Sequence, residues 1–469
     1  MRVAERQQQT ARPILPVERT DLPLVAPGVT FRSLTGRVVA NVLQPDVPLF
    51  WFWCYLAAIA AACVFSTALA IVLDVGIGVM GNNIPVAWVF PIANYVWWIE
   101  IAVGGSLLSS ILRLTNQGWR SSINRIAESV TLAGIVCAGL FPIIHLGRSW
   151  VAYWTLPYPN TMIIQPNFRS PLVWDVFGIG TYALASVLFW YMDLLPDLAT
   201  MRDHATSRIS YFLYGLLSLG WSGASHHWRL HERAGLLLAG ILTPLVFTVH
   251  TVVSFDFCIS LVPGWHSTIF PPYFVTGAIL AGISMVALMT TWVRSSFRLT
   301  SIITERHLNN LSKLILTTSV IMAYVYVFEP FINWYSGNYF DIYSTYVRSA
   351  GNFAWTYWAF ILLGLGVPQL LWWKKNRITP RRLFVIALLI VIGMWLERYM
   401  LMVTSLSRDY LPSYWANFAA TGADNALLYG SIGLFLCIFL LLIRALPMIP
   451  MYEIRMLLPL SKPGGGSVK

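Results

Sequence analysis

Ten long apolar segments constrain the fold of this chain more than any other feature of its sequence. A helix needs about 20 mainly apolar residues to cross the hydrocarbon core of a bilayer, and each segment is long enough. Only 11% of the 469 residues are charged, whereas soluble proteins carry about 25%. The sequence therefore predicts an all-α integral membrane protein with about ten transmembrane helices. Numbered 1 to 10, they lie at residues 49–75, 87–113, 122–146, 172–194, 233–258, 268–293, 309–335, 347–373, 383–405 and 425–446.

Two stretches outside these segments have other expected roles. The apolar run ISYFLYGLLSLGW at 209–221 is too short to span a bilayer and ends beside Trp221, which favours a helix in the membrane interface. Residues 1–47 are polar and rich in Arg and Pro. They lack the short apolar stretch of a cleavable signal peptide, so we expect them to form a cytoplasmic arm.

The distribution of lysine and arginine predicts the orientation of the chain. If the N-terminus is cytoplasmic, 26 of the 31 Lys and Arg residues fall on the cytoplasmic side, where such residues are enriched. Both termini are therefore predicted to be cytoplasmic, with a membrane domain at 48–446 followed by a tail at 447–469. The net charge of +11 follows from this topology and does not indicate nucleic-acid binding. The five exceptions are Arg148, Arg169, Arg348, Arg398 and Arg408.

Short matches between the two halves of the chain indicate an internal repeat. GLFPIIHLG (139–147) resembles VFEPFINWYSG (327–337), and NFRSPLVW (167–174) resembles YVRSAGNF (346–353). The repeat predicts two four-helix bundles that run in the same direction across the membrane, with helices 1 and 10 outside them. The bundles comprise helices 2–5, at about 87–258, and helices 6–9, at about 268–405.

A histidine and a carboxylate are predicted at the same depth near the outer face. His145 closes helix 3, which runs outward, and Asp175 opens helix 4, which runs inward. An ionisable group inside a membrane is expensive and is a functional candidate by default. A carboxylate can orient an imidazole, and both can accept protons near neutral pH. Oxidation of a quinol requires such acceptors, because two hydroxyl protons leave with two electrons.

The apolar slot that a quinol ring and tail need could open beside Pro142, which can kink helix 3. A structural alternative stays open for the two polar residues. His145 then caps a helix end, Asp175 lies in a first helical turn, and both contact water.

Further ionisable residues lie within the predicted helices. They are consistent with a proton path within the bundles and also with structural ion pairs. For the neighbours Glu397 and Arg398 the structural alternative is an ion pair that locks helices together. The candidates for a path are Glu100, His250, Asp256, Glu329, Glu397 and Arg398, with Asp193 near the inner end of helix 4. The pair Gly104-Gly105 predicts a face for close helix packing.

The sequence gives little support for a metal site. The five cysteines are scattered singly through apolar runs, without metal-ligand spacing, so an iron–sulfur cluster or structural zinc is not expected in this chain. His145 and His250 both fall in the outer half of the membrane, which leaves room for one haem but not for the two levels of a dihaem cytochrome b.

Seven stretches of the sequence, taken with their order and spacing, resemble the corresponding stretches of the NrfD/PsrC family of quinone-interacting membrane subunits. Within that family they are most similar to the ActC-type subunits of bacterial alternative complex III, and they cover about residues 95 to 400. Ten helices in two bundles is also the layout of ActC and ActF subunits, whereas simpler members have fewer helices. The stretches are INRIAESVTLAG (123–134), FPIIHLGRSW (141–150), RSPLVWDVFGIGTY (169–182), HTVVSFDF (250–257), PGWHSTIFPPYFV (263–275), EPFINWYSGN (329–338) and WLERYM (395–400).

The resemblance implies a site. In ActC-like subunits a His and an Asp near the outer face line the menaquinol site, beside an iron–sulfur protein docked on the periplasmic side. His145 and Asp175 match those positions and are the expected catalytic residues. Arg148 and Arg169 lie in the same outer loop, where they are candidates for orienting the quinol headgroup or docking the partner.

The resemblance also implies a cellular setting. The chain is expected to be a multi-pass subunit of the bacterial cytoplasmic membrane that oxidises menaquinol only within a complex. Its expected partners are an iron–sulfur subunit, a multihaem c-type cytochrome and an ActF-like membrane subunit. Haem and iron–sulfur centres are expected in those partners, and the electrons enter a respiratory or photosynthetic chain. Whether protons are translocated stays open.

Two other functions stay open. The membrane anchor of a molybdenum-type or multihaem reductase shares the fold and the quinone site and differs in its partners; only helix count discriminates, and it favours the first function. A solute or ion transporter needs a polar cavity at mid-depth, and the weight of polar groups near the outer face counts against it.

Overall fold

The computed structural model describes residues 22–44, 48–82, 86, 88–156 and 167–458, without the side chain of His145. Throughout these residues the regular secondary structure is helical and contains no β-strand. Ten helices are long and apolar enough to cross a membrane, which confirms the all-α, ten-helix prediction. In chain order they are α1 Leu49–Val75, α2 Val89–Leu114, α3 Asn124–His145, α4 Pro171–His204, α5 Ser225–Cys258, α6 Phe270–Ser296, α7 Glu305–Ser336, α8 Ala354–Trp372, α9 Pro380–Ser407 and α10 Gly422–Ala445.

Helices α4 and α5 extend beyond the apolar segments that predicted them. Each has 34 residues, or about 50 Å at 1.5 Å per residue, against a hydrocarbon core of about 30 Å. The extra turns are LPDLATMRDH at the end of α4 and SHHWRLHE at the start of α5. These residues are too polar to count as a spanning segment, so hydropathy ended the predicted helices early.

Five shorter helices connect or flank the ten. One of them, Arg208–Leu217, coincides with the predicted interfacial run. Its large apolar side chains are exposed, with Ile209 72% and Phe212 68% accessible, as expected of a helix that lies against lipid. The Tyr214 hydroxyl donates to the Ala445 carbonyl at 2.8 Å and fastens this helix to the end of α10. The others are Phe31–Leu43, Tyr339–Ala350, Lys374–Ile378 and Met451–Leu457.

The helices pack in the groups that the repeat predicts. Helix α2 packs against α3 and α5, and α4 packs against α5, which gives a first bundle of α2–α5. Helix α6 packs against α7 and α9, and α8 packs against α9, which gives a second bundle of α6–α9. Helices α1 and α10 pair with each other, and α10 rests on α3.

Glycines set the closest helix crossings. Gly104 of α2 and Gly282 of α6 face each other where the two bundles meet, and a methyl group on either would collide with the backbone of the other. Gly105 faces α3, where an added Cβ would lie 2.7 Å from the Ala127 carbonyl oxygen. The predicted close-packing face at Gly104-Gly105 is confirmed. It serves two neighbours rather than one.

The first and the last helix that the structure describes lie at the same face of the molecule. The N-terminal helix Phe31–Leu43 and the C-terminal helix Met451–Leu457 are in contact, and Arg455 donates to the Thr35 hydroxyl. We call this the inner face, following the charge distribution, and the opposite face, where α4 begins, the outer face. The parts of the predicted arm at 1–21 and 45–47, and of the predicted tail at 459–469, lie outside the described residues.

Candidate functional site

Asp175 lies in the second turn of α4 at the outer end of the first bundle. The residue is 7% exposed, so it is buried by the bundle rather than open to water. The Tyr95 hydroxyl of α2 donates a hydrogen bond of 2.8 Å to its Oδ2 atom. The other oxygen, Oδ1, is buried and has no hydrogen-bond partner among the residues that the structure describes. A buried acceptor without a partner is costly, so this oxygen is available to a ligand or to water.

Asp256 of α5 brings a second carboxyl group to the same place. The carboxyl groups of Asp175 and Asp256 lie close enough to interact. Two carboxylates this close in an apolar setting repel each other, so the pair is stable only when one of them carries a proton. Asp256 Oδ1 likewise has no partner within the described part of the chain. Tyr95, Asp175 and Asp256, called here the outer acid group, can therefore hold and exchange a proton.

The other residues predicted for the outer site make no contact with this group within the described part of the structure. Helix α3 ends at His145, whose side chain lies outside the described part of the structure. Arg148 and Arg169 are exposed in the loop between α3 and α4. Among the described residues, neither guanidinium contacts Asp175. The sequence suggested Asp256 as part of a proton path within the bundles. In the structure Asp256 lies beside Asp175.

A second polar cluster lies where the two bundles meet. Arg398 of α9 pairs with Glu100 of α2, with 2.5 Å between Nε and Oε1. Its Nε also lies 3.1 Å from Oε2 of its neighbour Glu397. His250 of α5 approaches Glu100, with 3.8 Å between Nε2 and Oε1. All four side chains are fully buried, and we call them the central ion cluster.

Aromatic residues complete the central ion cluster on the side of the second bundle. The Arg398 guanidinium lies 4.1 Å from the centre of the Phe274 ring, a distance at which the ring face attracts a cation. Tyr326 of α7 donates to Glu397 at 2.9 Å, and its hydroxyl lies 2.8 Å from that of Tyr273. The ion pair that the sequence suggested for Glu397 and Arg398 is therefore part of a network linking α2, α5, α6, α7 and α9.

Glu329 belongs to a separate pair. Arg348, on the helix Tyr339–Ala350, donates to Glu329 Oε1 at 2.7 Å and to the Gly264 carbonyl at 2.6 Å. Both side chains are mostly buried. This pair fastens outer-face segments of the second bundle to each other.

Two helices of the first bundle carry polar stripes that sequence reasoning missed. On α4 the buried polar residues are spaced by 7, 4, 7 and 4 residues, a pattern that keeps them on one helix face. On α2 a matching stripe runs over 18 residues, or about 27 Å. The spacing on α4 was visible in the sequence and could have identified the stripe. The α4 stripe is Asp175, Tyr182, Ser186, Asp193 and Asp197, and the α2 stripe is Tyr95, Ser106, Ser109 and Arg113.

The stripes meet side chain to side chain between the two ends. The hydroxyls of Ser106 and Tyr182 are 2.8 Å apart. One turn further inward, Ser109 donates to Glu128 of α3 at 2.6 Å. Glu128 is 3% exposed, and no described residue is a partner of its Oε2. Glu128 lies on α3 among mostly small apolar residues and was not singled out from the sequence.

At the inner end the α2 and α4 stripes finish in an ion network, called here the inner ion cluster. Arg113 pairs with Asp193, and Arg125 Nη2 lies 2.6 Å from Asp197 Oδ2. Arg120, in the loop between α2 and α3, pairs with Glu453 and lies 3.4 Å from Asp193. Burial disfavours the charge of Arg120, but Glu453 and Asp193 outweigh it, so its pKa is raised.

The described residues contain no cluster of three or more His, Cys, Asp and Glu side chains that could hold a metal ion. His250 faces Glu100 and the Phe274 ring, whose centre is 6.0 Å from that of the imidazole. The haem that the sequence left open would need His145 as the second ligand, and that side chain lies outside the described part.

Comparison with known proteins gives one family match and distant relatives. A family model described as polysulphide reductase, NrfD, matches residues 78–408. A Halobacterium salinarum protein, provisionally named as a membrane subunit of dimethyl sulfoxide reductase, is 26% identical over 208 residues, covering 44% of this chain and 43% of the relative. A selenate reductase subunit of Mesobacillus selenatarsenatis is 24% identical over 210 residues, covering 43% and 47%. The chain thus spans less than half the length of these curated relatives.

Proposed function

This chain belongs to the polysulphide reductase NrfD family, and from that premise we propose that it is the quinone-reacting membrane subunit of an oxidoreductase complex. Its reaction is the oxidation of a quinol, menaquinol by the resemblance noted above, to a quinone. Two protons leave the hydroxyl groups of the ring, and two electrons pass to a redox centre in a partner subunit. The chain does not perform this reaction alone, because the electrons need that acceptor.

The outer acid group carries the proposal. A quinol ring is apolar apart from its two hydroxyl groups, so its site must be apolar and must offer acceptors for those protons. Among the described residues, the Oδ1 atoms of Asp175 and Asp256 are acceptors without partners, and they lie at the outer end of the first bundle. Tyr95 fixes the orientation of Asp175 through its 2.8 Å hydrogen bond. General bases must lie within hydrogen-bond reach of the proton that they accept, and the free Oδ1 atoms meet that requirement for a ring placed beside them.

We assign Asp175 as the primary proton acceptor and Asp256 as the group that relays its proton. His145 is proposed as the hydrogen-bond partner of the second ring oxygen, because α3 ends at this residue beside the start of α4. Arg148 and Arg169 are exposed on the outer face, where they suit contact with an anionic surface of a partner better than contact with the ring.

The central ion cluster has two proposed roles. Its complete burial and its position between the bundles favour a structural role, in which Arg398 pairs with Glu100 and Glu397 and joins α9 to α2. A proton path through Glu100, His250 and Glu397 stays a proposal beside it. Glu329 is tied to Arg348 and is proposed to be structural.

Two kinds of complex fit the chain. The relatives bear the names of dimethyl sulfoxide and selenate reductase subunits, which favours a membrane anchor beside iron–sulfur and molybdenum-containing subunits. The ten spanning helices favour the second kind, alternative complex III, with a multihaem cytochrome c and a second membrane subunit of the same fold. We propose the reductase anchor as the first candidate, because named relatives support it directly.

Isolation of the native complex tests this proposal. The chain is extracted from its own membranes in mild detergent, its partners are identified by mass spectrometry, and a visible spectrum is recorded from the same sample. An iron–sulfur subunit with a molybdopterin protein supports the first candidate, and multihaem cytochrome c supports the second. A colourless chain that purifies alone and takes up a solute in vesicles would overturn both.

Replacing Tyr95 by phenylalanine is expected to lower the rate of quinol oxidation about tenfold, because loss of one buried hydrogen bond of this kind is worth about 1–3 kcal/mol. The measurement is the steady-state rate of the assembled complex with a soluble menaquinol analogue. Tyr429→Phe is the matched control, since Tyr429 is 63% exposed on the peripheral helix α10. Equal rates for the two variants would contradict the role of Tyr95.

A further inference from the structure

The chain segment after α10 closes the inner end of the first bundle. This segment, Pro447 to Leu458, leaves α10, runs beneath the loop between α2 and α3 and the inner end of α4, and ends in the short helix Met451–Leu457, which also contacts Phe31–Leu43. Ile449, Met451 and Ile454 are completely buried. We call these twelve residues the inner strap.

The inner strap is fastened by the same groups that end the polar stripes. Arg125 donates to the Pro447 carbonyl at 2.8 Å. The backbone N–H of Met451 donates to Asp197 Oδ2 at 3.0 Å. The Tyr452 hydroxyl lies 3.4 Å from Asp193, and Glu453 pairs with Arg120. Burial raises the pKa of Tyr452 well above its usual range, so its hydroxyl keeps its proton at neutral pH.

A cavity of about 210 Å³ lies on the other side of this layer, at the inner face. Asp197, Thr200, Tyr452 and Arg455 contribute polar groups to its wall. Since one water occupies about 30 Å³ in the liquid, the cavity has room for several waters. Asp197 and Tyr452 both line this cavity and take part in the contacts that hold the inner strap over Asp193.

We propose that the first bundle has an inner entrance for protons and that the inner strap is its gate. Asp197, Asp193, Glu128 and Tyr182 lie between the inner face and the outer acid group, with two turns of α4 between Tyr182 and Asp175, so groups with exchangeable protons are spread across the width of the membrane. In the closed state seen here the strap separates the cavity from Asp193. When its polar contacts release, water from the cavity reaches Asp193 and then Glu128. The step moves a proton and no electrons.

Polar contacts suit a gate better than apolar packing would. Each hydrogen bond of the strap can be exchanged for one with water, so opening does not expose an uncompensated group for long. Removing one such bond to a charged acceptor is expected to raise the open population about tenfold or more. The proposal does not depend on quinol oxidation, because passive proton movement is measured without quinol.

The test is the substitution Met451→Pro in the complete complex. Met451 is the first residue of its helix, where proline is tolerated and lacks only the backbone N–H. Pro450 already has an extended conformation, with φ −70° and ψ 101°, which suits a residue before proline. The variant removes the bond to Asp197 and also the packing of the completely buried Met451 side chain, so Met451→Ala, which loses the packing and keeps the backbone N–H, is measured beside it. The complex is reconstituted in vesicles, and passive proton conductance is followed with a trapped pH dye.

Met451→Pro is expected to raise proton conductance about tenfold, and adding Glu128→Gln is expected to return it to the wild-type level. Glu453→Gln, which weakens the pair with Arg120 and leaves the backbone intact, is expected to raise conductance less and decides the question if Met451→Pro does not assemble. Tyr339→Pro, at the first position of an outer-face helix, is the control. Wild-type conductance in the assembled Met451→Pro and Glu453→Gln variants, or a leak that persists with Glu128→Gln, would overturn the proposal.

Discussion

Quinol oxidation by the assembled complex is expected to fall about 100-fold or more when Asp175 is replaced by asparagine, because loss of a general base removes 10²–10⁴ of the rate in typical enzymes. Asparagine has nearly the same shape and can still accept the hydrogen bond of Tyr95 at 2.8 Å. It cannot take up a proton. The effect is therefore expected in the maximal rate more than in the half-saturating quinol concentration.

The substitution Asp256→Asn distinguishes relay of the proton by Asp256 from its acceptance by Asp175. If Asp256 only receives the proton from Asp175, its loss is expected to slow turnover less than the loss of Asp175, and the double variant is expected to match Asp175→Asn. Asp74→Asn is the matched control, because Asp74 is exposed near the outer end of the peripheral helix α1. An Asp175→Asn complex with a wild-type rate would remove the outer acid group from the reaction.

Arg398→Gln is expected to destabilise the complex by about 3–5 kcal/mol, the usual loss when one partner of a buried ion pair is removed. The substitution leaves the fully buried Glu100 and Glu397 without the cation that pairs with them. The measurement is the fraction of intact complex that remains after stepwise heating in detergent, followed by size-exclusion chromatography. Arg381→Gln is the control, since Arg381 is exposed at the start of the same helix.

A second substitution distinguishes repulsion between the buried carboxylates Glu100 and Glu397 from the loss of packing around Arg398. Glu100→Gln combined with Arg398→Gln removes both charges of the 2.5 Å contact, so the two effects are expected to be strongly non-additive. Full stability of the single Arg398→Gln variant would contradict a structural role. Glu397→Gln tests the other role: normal stability with slowed turnover would support a proton path through this cluster.

Much of the fold follows from the sequence, because apolar length and the positions of Lys and Arg are local properties. Each of the ten segments corresponds to one spanning helix, and the main errors lie at the inner ends of α4 and α5, where polar turns continue the helix. A further error lies at the outer end of α8, which begins at Ala354 because residues 347–350 belong to the separate helix Tyr339–Ala350. Close helix packing at Gly104-Gly105 is also predictable from the sequence, because a residue without a side chain allows close approach whichever helix lies next to it.

The candidate site was less predictable, since it depends on which helix faces turn toward each other. The sequence marks both Asp175 and Asp256 as candidates. It does not show that they pair, because they are 81 positions apart. Tyr95 was one aromatic residue among 67 Phe, Trp and Tyr residues, and nothing local marks it as the partner of Asp175. The regular spacing on α4 was a usable signal, because hydroxyl and carboxyl groups on one face of a spanning helix must find partners within the bundle.

The contact of Gly104 with Gly282 has a mechanical consequence. Where two backbones touch without side chains between them, no rotamer change can absorb a displacement, so neither helix can slide past the other. The remaining freedom is rotation about that point, which lies near the middle of both helices. A small tilt that brings the outer ends of the two bundles together must then spread their inner ends. The two helices thus pivot about this contact. A ligand that moves their ends at one face of the membrane would therefore also move their ends at the other face.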